Sequence, residues 1–216
     1  MEINWYGHSC FRISDRGSAT VVCDPYDSEV VGYETLKLKA DIVTISHHSP
    51  SHKYQKAVKG SPYVISGPGE YEIGGVFVTG LCTDSRRKNG TDQPINSLYL
   101  INYFGITVVH LGDMMHVPTQ TEVESLGPVH IALVPVGGGS ALNAAKASEV
   151  ISLFEPNIVI PMHYATGDSK AELDPIGKFL KVMGLSEVET LPSLKVTNPD
   201  TLPEETQIVV LDYPHE

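Results

Sequence analysis

Three histidines fall within six residues in the stretch Ile45-Ser46-His47-His48-Ser49-Pro50-Ser51-His52. Neutral imidazole is the commonest metal ligand at neutral pH and a frequent general base. The loop therefore suits either a metal site or acid–base chemistry. Farther along, Asp113 and His163 add a carboxylate and another imidazole. Ser49 and Ser51 beside a histidine, with Asp113, would complete a nucleophile–base–carboxylate set, but no nucleophile-elbow motif surrounds them. His110 precedes Asp113 by three residues, so on a strand it faces the other way and reads as core. His116 follows Asp113 by three and is expected to line a pocket or its mouth. Gly137-Gly138-Gly139-Ser140 reads as the start of a helix, where free N–H groups could hold a phosphate; with no lysine following, a tight turn is the better reading. Glu70 and Glu72 form either a carboxylate pair or a solvent-facing strand edge, the second being favoured. Tyr164 either donates to a substrate oxyanion or packs.

These side chains need elements to hold them. Asp41 to Ile45 is a buried strand, and a proline five residues past its end puts the histidines on a loop. Alternation predicts strands at Ile3 to Gly7, Cys10 to Ile13, Ala19 to Cys23, Pro62 to Ser66 and Tyr71 to Thr79, the last with a bend or bulge at Gly74-Gly75. Val30 to Lys39 reads as loop or short helix, and Cys82 to Pro94 as polar loop. Ser97 to Asn102 and Ile106 to Leu111 form a hairpin; Ile131 to Val136, Asn157 to Pro161 and Gln207 to Leu211 are further strands. Helices are expected over Thr119 to Ser125, Ala141 to Phe154 with Ser140 as cap, and Ala171 to Met183. Strands dominate early and alternate with helices later, which suggests two sheets with helices outside. Asp24, His47, Asp113, the triple glycine and His163 all follow apolar strands, as a site on one rim of a sheet requires.

The 216 residues suit one domain, 1–216, with no linker-like shift in composition. No apolar stretch reaches bilayer length, and Met1-Glu2-Ile3-Asn4-Trp5 lacks the features of a signal peptide. Cys10, Cys23 and Cys82 are sparse, odd in number and without metal spacing, so all three are expected as buried thiols in a reducing cytoplasm. A net charge of −11 matches polyanions poorly, and nucleic acid is not the expected partner.

Taken together, Trp5-Tyr6-Gly7-His8-Ser9, Asp24-Pro25, the histidine loop, Gly67-Pro68-Gly69-Glu70-Tyr71-Glu72-Ile73-Gly74-Gly75-Val76, His110-Leu111-Gly112-Asp113, Pro135-Val136-Gly137-Gly138 and Ile160-Pro161-Met162-His163-Tyr164 resemble the metallo-β-lactamase superfamily, in particular its L-ascorbate-6-phosphate-lactonase-like branch. The resemblance implies an α/β (α+β) fold, a four-layer αββα sandwich with its site at one edge of the sheets. The family loop His-any-His-any-Asp-His places His47 and His52 on its first and last histidines, but Ser49 and Ser51 on the other two ligands. A later family histidine falls near Thr83-Asp84-Ser85, where there is none; Asp113 and His163 match the bridging aspartate and last histidine. The motif is therefore degenerate. It leaves His52, Asp113 and His163 as ligands of at most one divalent metal, zinc or manganese, or none at all. His47, freed from ligation, would serve with Asp113 in catalysis as a proton shuttle. His48 is a stand-in ligand only if its loop shifts, and Asp84 is another stand-in, from the loop that lacks the later histidine. His8, His48, Ser49, Ser51, Ser85, His116 and Tyr164 would line the pocket, with His8 expected as a structural, hydrogen-bonded histidine at the rim.

Two functional classes follow. One is a metal-dependent hydrolase of a small ester, lactone or phosphoester. The other is a non-catalytic member of the fold that binds a small molecule or a protein partner, as the serines in place of ligands suggest; an oligomer is compatible with either.

Overall fold

The computed structural model describes residues 1–88 and 91–214; for 84–88 and 91–95 only the backbone is described. In chain order the strands are β1 (Glu2–Trp5), β2 (Phe11–Ser14), β3 (Val21–Cys23), β4 (Leu38–Lys39), β5 (Ile42–Ile45), β6 (Val58–Lys59), β7 (Tyr63–Ser66), β8 (Gly69–Ile73), β9 (Val76–Lys88), β10 (Thr91–Tyr103), β11 (Ile106–His110), β12 (Ile131–Pro135), β13 (Ile158–Met162), β14 (Thr190–Leu191), β15 (Leu194–Lys195), β16 (Gln207–Ile208) and β17 (Val210–Leu211). The α-helices are α1 (Ser28–Val31), α2 (Gln120–Leu126), α3 (Ala144–Phe154) and α4 (Ile176–Val182). One sheet runs β15-β1-β2-β3-β5-β7 and the other β16-β13-β12-β11-β10-β9-β8.

The burial pattern explains the layers. Ile3, Trp5, Phe11 and Ile13 alternate with half-exposed residues and face the second sheet's Val76, Val78, Leu98 and Val108 in one shared core. The central strands are buried on both faces. Ile42 joins the inter-sheet core, while Val43 and Ile45 join a second cluster with Val22, Tyr26 and Val58. On the second sheet every residue of β12 and β13 is buried, and α3 covers them with Ala147, Val150, Ile151 and Phe154. Strands hidden on both sides read as continuous apolar runs. The expected mixed fold with sheets between helices is present, although the first sheet's outer layer is mostly irregular chain around α1, a helix of four residues.

Several expectations need correction. Gly74 and Gly75, both with positive φ, make a two-residue turn between β8 and β9 rather than a bend within one strand. That geometry is the one that matches strand twist. Cys82 to Pro94 is not a loop: β9 and β10 each run 13 residues as a long hairpin, backbone pairing prevailing over polar composition. α3 begins at Ala144 with Asn143 as its cap, the Asn143 Oδ1 accepting from Lys146 N at 3.0 Å, so neither Ser140 nor the triple glycine opens a helix. α4 covers only Ile176–Val182 because Pro175 disfavours helical backbone before it. Gln207 to Leu211 is split between two sheets. Cys10 and Cys23 are buried, but Cys82 is exposed.

β3, β5 and β7 run parallel, as do β11, β12, β13 and β16. Their carboxyl ends therefore open on one edge, where ligands collect in such sheets.

Candidate metal centre

Three residues that follow strands at this edge hold left-handed backbone without being glycine: His8 (φ 50°), Asp24 (φ 45°) and His163 (φ 53°). Asn, Asp and His tolerate that region better than most residues, and strain of this kind gathers at functional sites. Asp24, fully buried, accepts hydrogen bonds from the Ser46 amide at 2.7 Å and from the Ser46 hydroxyl. That fixes the start of the histidine loop. The loop then turns, the His52 amide donating to the Ser49 carbonyl at 2.9 Å. Asp113 is held by Asn96, a residue that no motif singled out. The Asn96 carboxamide accepts from Asp113 N at 2.8 Å and donates to the Leu111 carbonyl at 2.9 Å. His163 is set by its amide donating to the His8 carbonyl at 3.1 Å, and Gly137 has no room for a Cβ against the His163 carbonyl and Tyr164 Cα.

The outcome is a cleft of about 330 Å³ lined by His8, His47, Ser49, Ser51, His52, Asp113, Gly139, Ser140 and His163, with Lys170, Glu172 and residues of α1 at its mouth. His52 Nε2 lies 3.0 Å from Asp113 Oδ1, His163 Nε2 3.8 Å from the same oxygen, and His47 Nδ1 4.0 Å from Asp113 Oδ2. Among the described residues, one ligand atom each from His47, His52 and Asp113 lies within 4.8 Å of the others. His163 is close to the carboxylate but not in that group, so the grouping exchanges the His163 of the resemblance for His47.

Charge follows from burial and pairing. Burial alone would lower His52, but the Asp113 charge and hydrogen bond outweigh it and push the imidazole up to about 9. Burial would raise Asp113, yet His52 and, more weakly, His163 and His8 hold it well below the carboxylate range. Burial lowers His47, His163 and His8, with the neighbouring His52 charge adding to each. Without a cation the cluster is one imidazolium–carboxylate pair surrounded by neutral imidazoles.

These donors fit a divalent ion. Ligand atoms at about 2.0–2.1 Å from a tetrahedral zinc lie about 3.3 Å apart; His52 and His47 stand 3.0 and 4.0 Å from the Asp113 carboxylate, and the three ligand atoms lie within 4.8 Å of one another. The buried nitrogens His47 Nδ1 and His163 Nδ1 have no hydrogen-bond partner in the protein. Buried polar atoms are rarely left so, and a cation beside Asp113 would give His47 Nδ1 its partner.

Some expected lining residues lie elsewhere. His48 is exposed and meets Ser66 Oγ at 3.3 Å, outside the cleft that His47 lines. His116 lines a separate cavity with Leu81, Met114 and Phe154. Tyr164 packs on Trp5, ring centroids 5.2 Å apart, and is not among the residues lining the cleft. Ser85 and Asp84 lie outside the residues with described side chains. His110 is core, as expected: its Nε2 donates to the Ser9 carbonyl at 2.9 Å and its Nδ1 accepts from Gly112 N at 3.2 Å. Glu70 and Glu72 are exposed on the strand edge. His8 differs from expectation, being 4% exposed with neither ring nitrogen partnered by the protein.

Residues 2–163 match the family model described as a beta-lactamase superfamily domain. A UPF0173 protein of Pyrococcus furiosus is 32% identical over 199 residues, covering 81% of this chain and 87% of that protein. A UPF0173 metal-dependent hydrolase of Natranaerobius thermophilus is 24% identical over 192 residues, covering 77% and 84%. Among solved structures, a candidate zinc-dependent hydrolase of the metallo-beta-lactamase superfamily from Thermotoga maritima is 34% identical with a TM-score of 0.78, covering 99% of each chain. A metallo hydrolase from Ignicoccus hospitalis shares the fold at 18% identity and a TM-score of 0.67, covering 91% of this chain and 99% of that one.

Proposed function

From the premise that this chain belongs to the beta-lactamase superfamily domain family, we propose that it hydrolyses a small ester, lactone or phosphoester with one divalent ion held by His47, His52 and Asp113, and with His163 against the same carboxylate. The observation that carries this reading is the unpartnered His47 Nδ1 at 4.0 Å from Asp113 Oδ2, within the one close grouping of imidazole and carboxylate atoms among the described residues. Zinc suits two imidazoles and a carboxylate; manganese is the second choice for a donor set rich in nitrogen and oxygen.

When bound, such an ion supplies Lewis-acid polarisation of the scissile group and activation of water. The chain's own residues do the rest. Asp113 accepts the His52 N–H, so His52 Nε2 would have to give up that proton to hold an ion there. Ser51 Oγ, 2.9 Å from His52 Nδ1, fixes which face of the ring points at Asp113. With His47 a ligand, His163 takes its place as the proton carrier beside the carboxylate. The substrate is a small molecule, since the cleft has the size of one. A reducing cytoplasm suits a chain whose cysteines are few, odd in number and without metal spacing.

Elemental analysis after dialysis against zinc or manganese tests the reading. About one ion per chain is expected, lost in His47→Ala and in His52→Ala. No ion under either condition would move the chain to the non-catalytic, ligand-binding reading.

One observation favours a second chemistry. Ser51 Oγ, His52 and Asp113 form a continuous hydrogen-bonded chain at 2.9 and 3.0 Å, and Ser49 Oγ joins Ser51 Oγ. Such a chain resembles a nucleophile–base–acid set. It ranks second because His52, held charged to about pH 9, cannot take a proton from serine at neutral pH. Labelling of Ser49 or Ser51 by a fluorophosphonate would promote it.

A further inference from the structure

His8 is the one histidine of the cleft with no partner in the protein on either ring nitrogen, and its placement is built rather than incidental. It sits on the turn between β1 and β2, where Tyr6 N donates to Cys10 O at 2.8 Å and Cys10 N to Gly7 O at 2.9 Å. Its carbonyl accepts from the Trp5 indole at 3.1 Å and from the His163 amide at 3.1 Å. Gly7 packs directly against the Tyr33 ring, with no room there for a Cβ. The backbone is thus held in left-handed conformation (φ 50°) from both sides. The imidazole is driven into the cleft between His163 and His52, ring centroids 4.5 and 5.0 Å away.

A buried imidazole always carries at least one N–H donor, and burying it unpaired is unfavourable unless something else meets it. His8 is not part of the close ligand group with His47, His52 and Asp113, so geometry does not make it a ligand of the same ion. What remains within reach is the content of the cleft, whose lining also includes Gly139, Ser140 and Lys170.

We infer that His8 is the group that binds the substrate's acyl or phosphoryl oxygen, donating its ring N–H to that oxygen from the wall of the cleft. The site therefore takes a substrate with a tetrahedral or trigonal oxygen-rich centre, a phosphoester or carboxylic ester. Preorganised donors aimed at developing negative charge are commonly a large part of catalysis by hydrolases. This inference deepens the hydrolase reading and rests on it for the reaction, but not for the binding.

The test uses inorganic phosphate as the probe with the full chain, metal-free and carrying one equivalent of zinc. In histidine-labelled protein, the 15N resonances of the His8 ring should move saturably as phosphate is added. His8→Ala should weaken phosphate binding, read by titration calorimetry, at least tenfold with zinc content unchanged. His8→Asn, which keeps a donor and tolerates the backbone, should recover part of the loss. A folded His8→Ala that no longer takes up zinc would overturn the inference in favour of a ligand or scaffold role. So would a His8 resonance unmoved by phosphate in the wild-type chain, which needs no variant to fold. A wild-type chain that takes no zinc yet shows the His8 response to phosphate would defeat the metal reading and leave this one standing.

Discussion

Two buried groupings of histidine and aspartate meet at the same sheet edge, and they differ in how completely their polar atoms are paired. Around Asp24, the Ser46 amide and hydroxyl fill the carboxylate, and His110 uses both nitrogens, on the Ser9 carbonyl and the Gly112 amide. Around Asp113, His52 is paired, but His8 at both nitrogens and His47 and His163 at Nδ1 are not. Residue type is the same in both. A filled cluster supports the fold, whereas an unfilled one awaits something from the cleft.

Substitution should separate the two. Asp24→Ala leaves the Ser46 amide and hydroxyl buried and unpaired, so it should cost about 3–5 kcal/mol in urea unfolding. A cost below about 1 kcal/mol would break the distinction. By contrast, His47→Ala should change the stability of the metal-free chain by less than about 1 kcal/mol, while weakening zinc at least about 100-fold in a chelator competition.

A sharper probe is pH, applied to the metal-free chain. His52 is raised to about 9 when folded, above its unfolded value of about 6.5, so its contribution is complete below pH 6.5 and is lost as pH rises through 9. Asp113 is depressed when folded, so its contribution is present above about pH 4 and fades as pH falls further. Compared with Asp113→Asn, the wild type should have its largest advantage between about pH 4 and 6.5 and a smaller one by pH 9. A flat difference across that range would mean the pair does not form.

The smallest expected effect lies far from both clusters. Thr119 and Glu122 cap α2 reciprocally, Glu122 Oε2 accepting from the Thr119 amide at 2.7 Å and Thr119 Oγ1 from the Glu122 amide at 3.3 Å. Thr119→Ala should cost about 1 kcal/mol and leave zinc binding unchanged. If it changed zinc binding, the separation of support from site would be too simple.

Much of the fold was legible because half-buried strands alternate and doubly buried ones are apolar throughout. Ile3, Trp5, Phe11 and Ile13 show the first pattern, and β12 and β13 the second. The long hairpin β9–β10 was not legible, because its far half carries polar sequence without alternation and is held by backbone pairing. Asn96 was missed for a related reason. An asparagine in a polar run gives no sign that its carboxamide ties Asp113 to Leu111.

The kinds of donor and their order along the chain are set by sequence alone: His47, His52, Asp113 and His163, with Ser49 and Ser51 between the loop histidines. Tertiary structure decided which of these donors meet. It turned His48 outward, grouped His47 rather than His163 with His52 and Asp113, and brought His8 in from the other end of the sheet edge. The reason is physical. Residue type and strand register set what a side chain can do and roughly where it begins. The direction of a ring nitrogen, however, depends on turns held by distant partners: Asp24 on Ser46, Asn96 on Asp113 and the His8 carbonyl on His163.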